Sequence, residues 1–310
     1  MEDMFNQWEV KEAFAEITVE CWSDLVYLLE ASFLDWSEFI FRGQADSDWT
    51  LRSKFDRDYK NMLSEISNYN SSETSKIKGL IQLKSRHDLL KEHLSRFKTN
   101  TVGRRGASPA SLNDMEWWSL GQHFGLSTPL LDWSRSPYVS LYFSLISQTS
   151  PKSGYHALWV FSPVAFHDLH INQDHRIESE DESIRFIHDA LCEENQRVIS
   201  QGGVFTLTPN GEDIDEFIPK VLNLNGHAPV LYKIKIPMSN RDDFLRHLES
   251  MNVHSGTLFP DLIGAADLAN RQLEKEKTLL LRRKSDSFAD RLFSLNLYHE
   301  TPNKAFKSDS

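Results

Sequence analysis

Apolar residues recur at helical spacing over residues 19–35, VECWSDLVYLLEASFLD, where Trp22, Leu25, Leu28 and Leu29 share a face and Ser23 and Asp24 suit a first turn. The pattern then changes: SEFIFRGQ (37–44) concentrates its apolar residues in a short run ended by Gly43 and reads as a strand with Arg42 at its exit. Within residues 71–101, Leu83, Leu89, Leu90, Leu94 and Phe97 form one face of a long surface helix. TNTVGRRGASPASL (99–112), rich in Gly, Pro and Ser, is expected to be a mobile loop. NDMEWWSLGQHFG (113–125) predicts a helix capped by Asn113 or Asp114 and stopped at Gly125.

Pro129 and Pro137 exclude a helix across STPLLDWSRSP, and a new one can start with Pro137 in its first turn. HALWVFSP (156–163) and PVLYKIKIP (229–237) read as strands, and RVISQGGVFTLT (197–208) as strand, glycine turn, strand. SNRDDFLRHLESMNV (239–253) predicts a capped helix, and the tail TPNKAFKSDS (301–310) a frayed end. Without a steady strand–helix alternation, the expected class is α+β with a mixed or antiparallel sheet flanked by helices. The expected division is an N-terminal extension (1–18), a main domain (19–270), and a C-terminal helix with a flexible tail (271–310).

With 310 residues and 40% hydrophobic content, the chain can bury one large core or two smaller ones. A net charge of -11 opposes a bulk electrostatic grip on nucleic acid. Cys21 and Cys192 make no metal pattern, the N-terminus MEDMFNQWEV has neither part of a secretory leader, and the longest apolar run, VSLYFSLI, is too short to span a bilayer. These features imply a cytoplasmic protein with no membrane role and no metal. The helix over 83–97 and the acidic stretch ESEDES (178–183) are either contacts for a protein partner or solvated faces.

Four ordered blocks carry the candidate chemistry: FRGQ (41–44), GQHFGLSTPLLDWSRSPYVSLYF (121–143), QRVISQGGVFTL (196–207) and GTLFPDL (256–262). Over roughly residues 20–265 they resemble the FRG domain family, with its Phe-Arg-Gly and its Gln-His-Tyr/Phe-Gly followed by Leu-Leu-Asp-Trp. Three of the blocks also resemble, more remotely, the arginine-type ADP-ribosyltransferases. Phe41-Arg42-Gly43 looks like their strand end. Ser134, Pro137, Ser140 and Phe143 fall on the offsets of their Ser-Thr-Ser strand and following helix, and Gly202 or Gly203 with Phe205 on their final turn. The position of their first serine is Asp132 here, and that of their catalytic glutamate is Arg197, a reversal of charge.

This resemblance implies a transferase-like core that uses NAD as substrate, either transferring ADP-ribose or hydrolysing NAD, as toxins and defence effectors do. On that reading Arg42 grips phosphate or ribose oxygens, while Gln44, Trp133, Phe143 and Gln201 complete the nucleotide site. Asp132 carries the carboxylate role, with Glu193 or Glu194 as substitutes, Ser134 sits beside it, and His123 is available as acid or base. A different class of function fits the same blocks: a non-catalytic recognition domain for a nucleotide, a nucleic-acid end or a partner protein. A two-metal nuclease lacks its carboxylate cluster. Each residue also has an architectural reading, with Arg42 paired to Asp132, His123 and the tryptophans in the core, Gly202 and Gly203 in a turn, and Asp261 capping a helix.

Overall fold

A computed structural model describes residues 7–33, 38–71, 84–147, 149–172, 183–187 and 196–285. Leu83, Cys192, Glu193, Glu194, the acidic residues 178–182 and the tail 301–310, all named above, lie outside the described residues. The chain forms two compact units, Met1–Pro260 and Asp261–Ser310.

In the first unit, eight strands join one sheet in the order β1 (Glu9–Val10), β2 (Ala15–Thr18), β8 (Leu231–Pro237), β5 (Tyr155–Phe161), β3 (Ile40–Gln44), β4 (Leu131–Ser134), β7 (Gly203–Leu207), β6 (Arg185–Ile187). Only β2 and β8 run parallel; every other pair in the sheet is antiparallel. The class is therefore α+β with a mixed sheet, as the sequence pattern implied. The helices of this unit are α1 (Trp22–Ser32), α2 (Lys54–Ser71), α3 (Arg86–Asn100), α4 (Asp114–His123), α5 (Pro137–Leu145), α6 (Pro163–Asn172), α7 (Gln196–Ser200), α8 (Ile214–Val221), α9 (Arg241–Ser250) and α10 (Ser255–Leu258). The second unit contains α11 (Leu262–Ser285), whose start is capped by the Asp261 carboxylate accepting from the Gly264 amide at 3.0 Å.

The period-2 alternation of the central strands sends their side chains into two layers. Leu158, Val160, Ile234 and Ile236 pack beneath α1, α5 and α9, meeting Leu25, Leu29, Leu141, Leu145, Phe244 and Leu248. Trp133, Trp159 and Phe161 face the other way, against Phe166 of α6 and Ile214, Phe217 and Ile218 of α8. A third cluster joins Leu94 of α3 and Trp118 of α4 to Leu130, Val198 and Phe205.

Three local expectations change. Residues 197–200 form the helix α7 instead of a strand: Gln201 N bonds Arg197 O at 2.9 Å and Gly202 N bonds Ile199 O at 3.1 Å. A run as short as Val198-Ile199 satisfies either period, and the pairing of β4 with β7 begins only at Gly203. Helix α9 enters through a 3₁₀ turn at Met238–Asn240, and the Asn240 side chain donates to the Glu20 carbonyl rather than capping α9. Helix α2 was not anticipated, although Phe55, Tyr59, Met62, Leu63 and Ile66 share a helical face and are buried or half-buried.

His156 on β5 is fully buried, and burial pulls its pKa down from 6.5; Arg241 opposes its protonation and Asp46 favours it. Above pH 6.5 both folded and unfolded chains hold this imidazole neutral, so it contributes no pH dependence there. Below that value the unfolded chain takes up a proton that the folded one refuses, and stability falls by at most about 1.4 kcal/mol per pH unit from this group. Melting temperatures between pH 7.5 and 5.5 should fall more steeply for the native chain than for a His156→Leu variant; parallel slopes would remove His156 as the cause.

Candidate functional site

The sheet is weakest at its centre. Strand β3 pairs with β5 over five positions, and β4 with β7 over four, but β3 and β4 meet only at Phe41↔Ser134. Where these two strands part, a cleft of about 330 Å³ opens. Its lining includes Phe41, Arg42 and Gly43 of β3, Ser140 and Phe143 of α5, Asp132, Trp133 and Ser134 of β4, and Ser119, Gln122 and His123 of α4. Arg197 and Val198 of α7, Gln201, the strand β7 residues Gly203 and Phe205, and Phe259 complete the lining.

Local sequence explains each placement. Asn113 and Glu116 form a reciprocal capping box that starts α4, and Gly125, at φ +88°, ends it, so Gln122 and His123 lie in its last turn. Pro137 sits in the first turn of α5, whose Ser136 cap accepts from Val139 N at 3.3 Å. Helix α5 then crosses directly over Gly43, and Ser140 Oγ donates to the Phe41 carbonyl at 2.7 Å.

Arg42 bridges the parted strands. Its Nη1 donates to the Asp132 carbonyl at 2.6 Å and lies 3.9 Å from the Asp132 carboxylate, while Nε is buried without an acceptor among the described residues. The Arg42 side chain is 18% exposed and that of Asp132 61%. Burial pulls the Arg42 pKa down, Asp132 opposes that pull, and Arg57 adds to it. The protein surrounding the Asp132 carboxyl pushes its pKa up, against Arg42 and Gln122; water entering the open side of the cleft limits that push. Gln122 donates to the carboxylate and in turn accepts from the buried Thr128 hydroxyl, which fixes the orientation of the acid.

Of the residues singled out from sequence, Arg42, His123, Asp132, Trp133, Ser134, Phe143 and Gln201 all line this cleft. Several of these side chains are also hydrogen-bonded within the fold. The Ser134 hydroxyl donates to the Gln201 carbonyl at 2.6 Å and accepts from Ser136 N at 3.0 Å, so it holds the turn at Gly202. The Gln201 amide donates to the Leu258 carbonyl at 3.1 Å. The Trp133 indole is buried in the core and donates to Thr206 at 2.8 Å. Gln44 lies outside the cleft lining, where its side chain accepts from the Trp159 indole at 2.8 Å and donates to the Thr50 carbonyl at 3.0 Å. Phe143 meets Phe259 edge to face at 5.9 Å, and the Arg197 guanidinium lies 5.0 Å from the Phe259 ring centroid. Gln122 and Phe259 were missed as site residues although both sit inside the quoted blocks; Gln122 is the first residue of the Gln-His-Phe-Gly run.

Residues 37–153 match the sequence model of the FRG domain. The chain carries an FRG domain. No curated protein and no solved structure matches the chain. The matched span of the FRG domain contains β3, α4, β4 and α5, and therefore Arg42, Gln122, His123, Asp132 and Phe143; Arg197, Gln201 and Phe259 come from beyond it. Among the described residues, no helix is long and apolar enough to cross a membrane, and no cluster of three or more His, Cys, Asp or Glu side chains is arranged to hold a metal ion.

Proposed function

We propose that the cleft binds NAD and breaks its nicotinamide–ribose bond, with water as the default acceptor. The observation that carries this reading is Asp132: among the described residues it is the one carboxylate lining the cleft, and Arg42 and Gln122 hold it at the open side. As the C1′–N bond breaks, its electron pair goes to the nicotinamide nitrogen and the ribose carbon becomes cationic, a charge that a preorganised carboxylate stabilises. Water then bonds to C1′ and gives up a proton, for which His123 on the same lining is the available base. The aromatic rings of Phe143 and Phe259 suit a planar nicotinamide or adenine, and the buried Arg42 Nε is a donor with no acceptor among the described residues. A cavity of about 330 Å³ is at the small end for ligand sites and matches one nucleoside half of the dinucleotide.

Incubating the full chain with NAD and resolving the products tests this. Nicotinamide and ADP-ribose should appear in equal amounts, or ADP-ribose should become attached to protein if transfer competes with water. An enzyme of this kind would deplete cellular NAD and act as a toxin or defence effector, so its expression should arrest growth in an NAD-dependent way. The structural use of the Ser134 hydroxyl and the Gln201 amide favours one alternative, a recognition domain that holds the same ligand without cleaving it. NAD that binds and stays intact supports that alternative and ends the glycohydrolase reading.

A further inference from the structure

The aim of the Asp132 carboxylate is set one side chain further from the cleft than Gln122. An ionised carboxylate only accepts hydrogen bonds, so the Gln122 amide must turn its NH2 group towards Asp132 and its oxygen away. That oxygen meets the Thr128 hydroxyl, which is buried outside the cleft lining and donates to it. The opposite amide orientation would set oxygen against carboxylate, and the Thr128 proton is what favours the productive one. Thr128 is itself fixed: Pro129 restricts its backbone to extended conformations, and its carbonyl accepts from Phe55 N at 3.2 Å. The same loop is tied to α2 by Lys54 Nζ donating to the Gly125 carbonyl at 3.3 Å and by Ser127 donating to the Asp58 carboxylate at 2.7 Å. It is tied to α3 by His93 Nε2 donating to the Ser127 carbonyl at 3.0 Å. Two helices that contribute nothing to the lining thus hold the hydroxyl that orients its acid.

We infer that Thr128 is a positioning residue of the cleft: its hydroxyl selects the Gln122 orientation that presents an N–H to Asp132, and the contacts from α2 and α3 keep it in place. The inference rests on Asp132 being the working carboxylate of the proposed function, and not on the ligand being cleaved. The charged and titratable groups that share the lining with Asp132 are Arg42 of β3, His123 of α4 and Arg197 of α7, and Arg57 of α2 acts on Arg42. A substitution at position 128 changes none of them.

Carbon-13 NMR of the side-chain carboxyls in the full chain tests it, with the Asp132 signal assigned by its absence from Asp132→Asn. Thr128→Val keeps the branched shape before Pro129 and removes the proton donor, so Asp132 loses support for its ionised form and should titrate at higher pH than in the native protein. Thr128→Ser returns the hydroxyl and should return the native titration. Gln122→Leu should also move the titration up, and adding Thr128→Val to it should move it no further, because the relay is already cut. Nicotinamide release by Thr128→Val should fall by about 3- to 10-fold, the worth of one hydrogen bond. Should Thr128→Val fail to fold, Thr128→Ala takes its place in the same comparisons. An Asp132 titration that is unchanged without the hydroxyl, that Thr128→Ser does not restore, or that shifts equally on top of Gln122→Leu overturns the inference. If the titration follows the hydroxyl while no protein, the native one included, releases nicotinamide, the cleavage reading fails and the positioning role stands.

Discussion

Replacing Gly43 with alanine is expected to lower the melting temperature by roughly 6–12 °C, or to leave the chain insoluble. A Cβ built at this position falls on the Ser140 carbonyl oxygen, well inside any real contact, and 2.6 Å from the Ser144 amide nitrogen. Both atoms are backbone, so no side chain can swing aside, and α5 has to lift away from β3. Lifting it separates Leu141, Tyr142 and Leu145 from Phe41, Leu158 and Val160 in the core and breaks the Ser140–Phe41 hydrogen bond. A penalty of about 3 kcal/mol, at the upper end for overpacking, is therefore the expected minimum. The same shift carries Ser140 and Phe143, which line the cleft, away from Arg42, so any folded fraction should also bind ligand weakly. Thermal unfolding followed by circular dichroism reads the effect, and a Gly43→Ala chain that melts with the native one would mean that α5 does not cross β3 at this glycine. The glycine of the Phe-Arg-Gly run is thus a packing requirement that places the cleft, and the arginine before it lines that cleft beside Asp132.

That division between architecture and chemistry governs how much could be read beforehand. Elements with strong local punctuation were legible: Asn113 and Gly125 bound α4, Pro137 starts α5, and the alternation in LYKIKIP gives β8. Helix α7 was misread because Val198 and Ile199 are too few to distinguish a period of 2 from one of 3.6, and Gly203 as a strand start becomes evident only from its partner on β4. At the site, the convergence of Arg42, His123, Asp132 and Gln201 was legible because polar residues embedded in apolar blocks need either an opening or a buried partner, and these four line the opening while Gln44 takes buried partners. Individual roles were not. Gln44 and Arg42 lie two residues apart on one strand, yet one is consumed by Trp159 and Thr50 and the other reaches across the parted strands to Asp132. What decides between them is the single bridge at Phe41↔Ser134, a long-range register that no local pattern encodes.

Asp132→Asn should reduce nicotinamide release by about 10²–10³-fold, the range for losing one preorganised group that faces charge formed in the transition state. Asparagine has nearly the same shape, and the Arg42 bond to residue 132 uses the main-chain carbonyl, which the substitution leaves in place. The side-chain oxygen can still accept from Gln122, so the melting temperature should stay close to native. A drop in turnover without a drop in stability separates chemistry from architecture, the two readings open to an Arg42–Asp132 pair. The pH dependence gives an independent check. The proposed mechanism needs the ionised acid, and the surrounding protein raises the pKa of Asp132, so native turnover should begin to fall at a higher pH than an ordinary carboxylate would allow. The residual turnover of Asp132→Asn should lack that acidic limb. Its affinity for ADP-ribose should be equal to native or higher, since removing a negative charge from the lining favours the bound phosphate. Full nicotinamide release by Asp132→Asn would transfer the carboxylate role to another residue and reduce the Arg42–Asp132 pair to a device for joining β3 to β4.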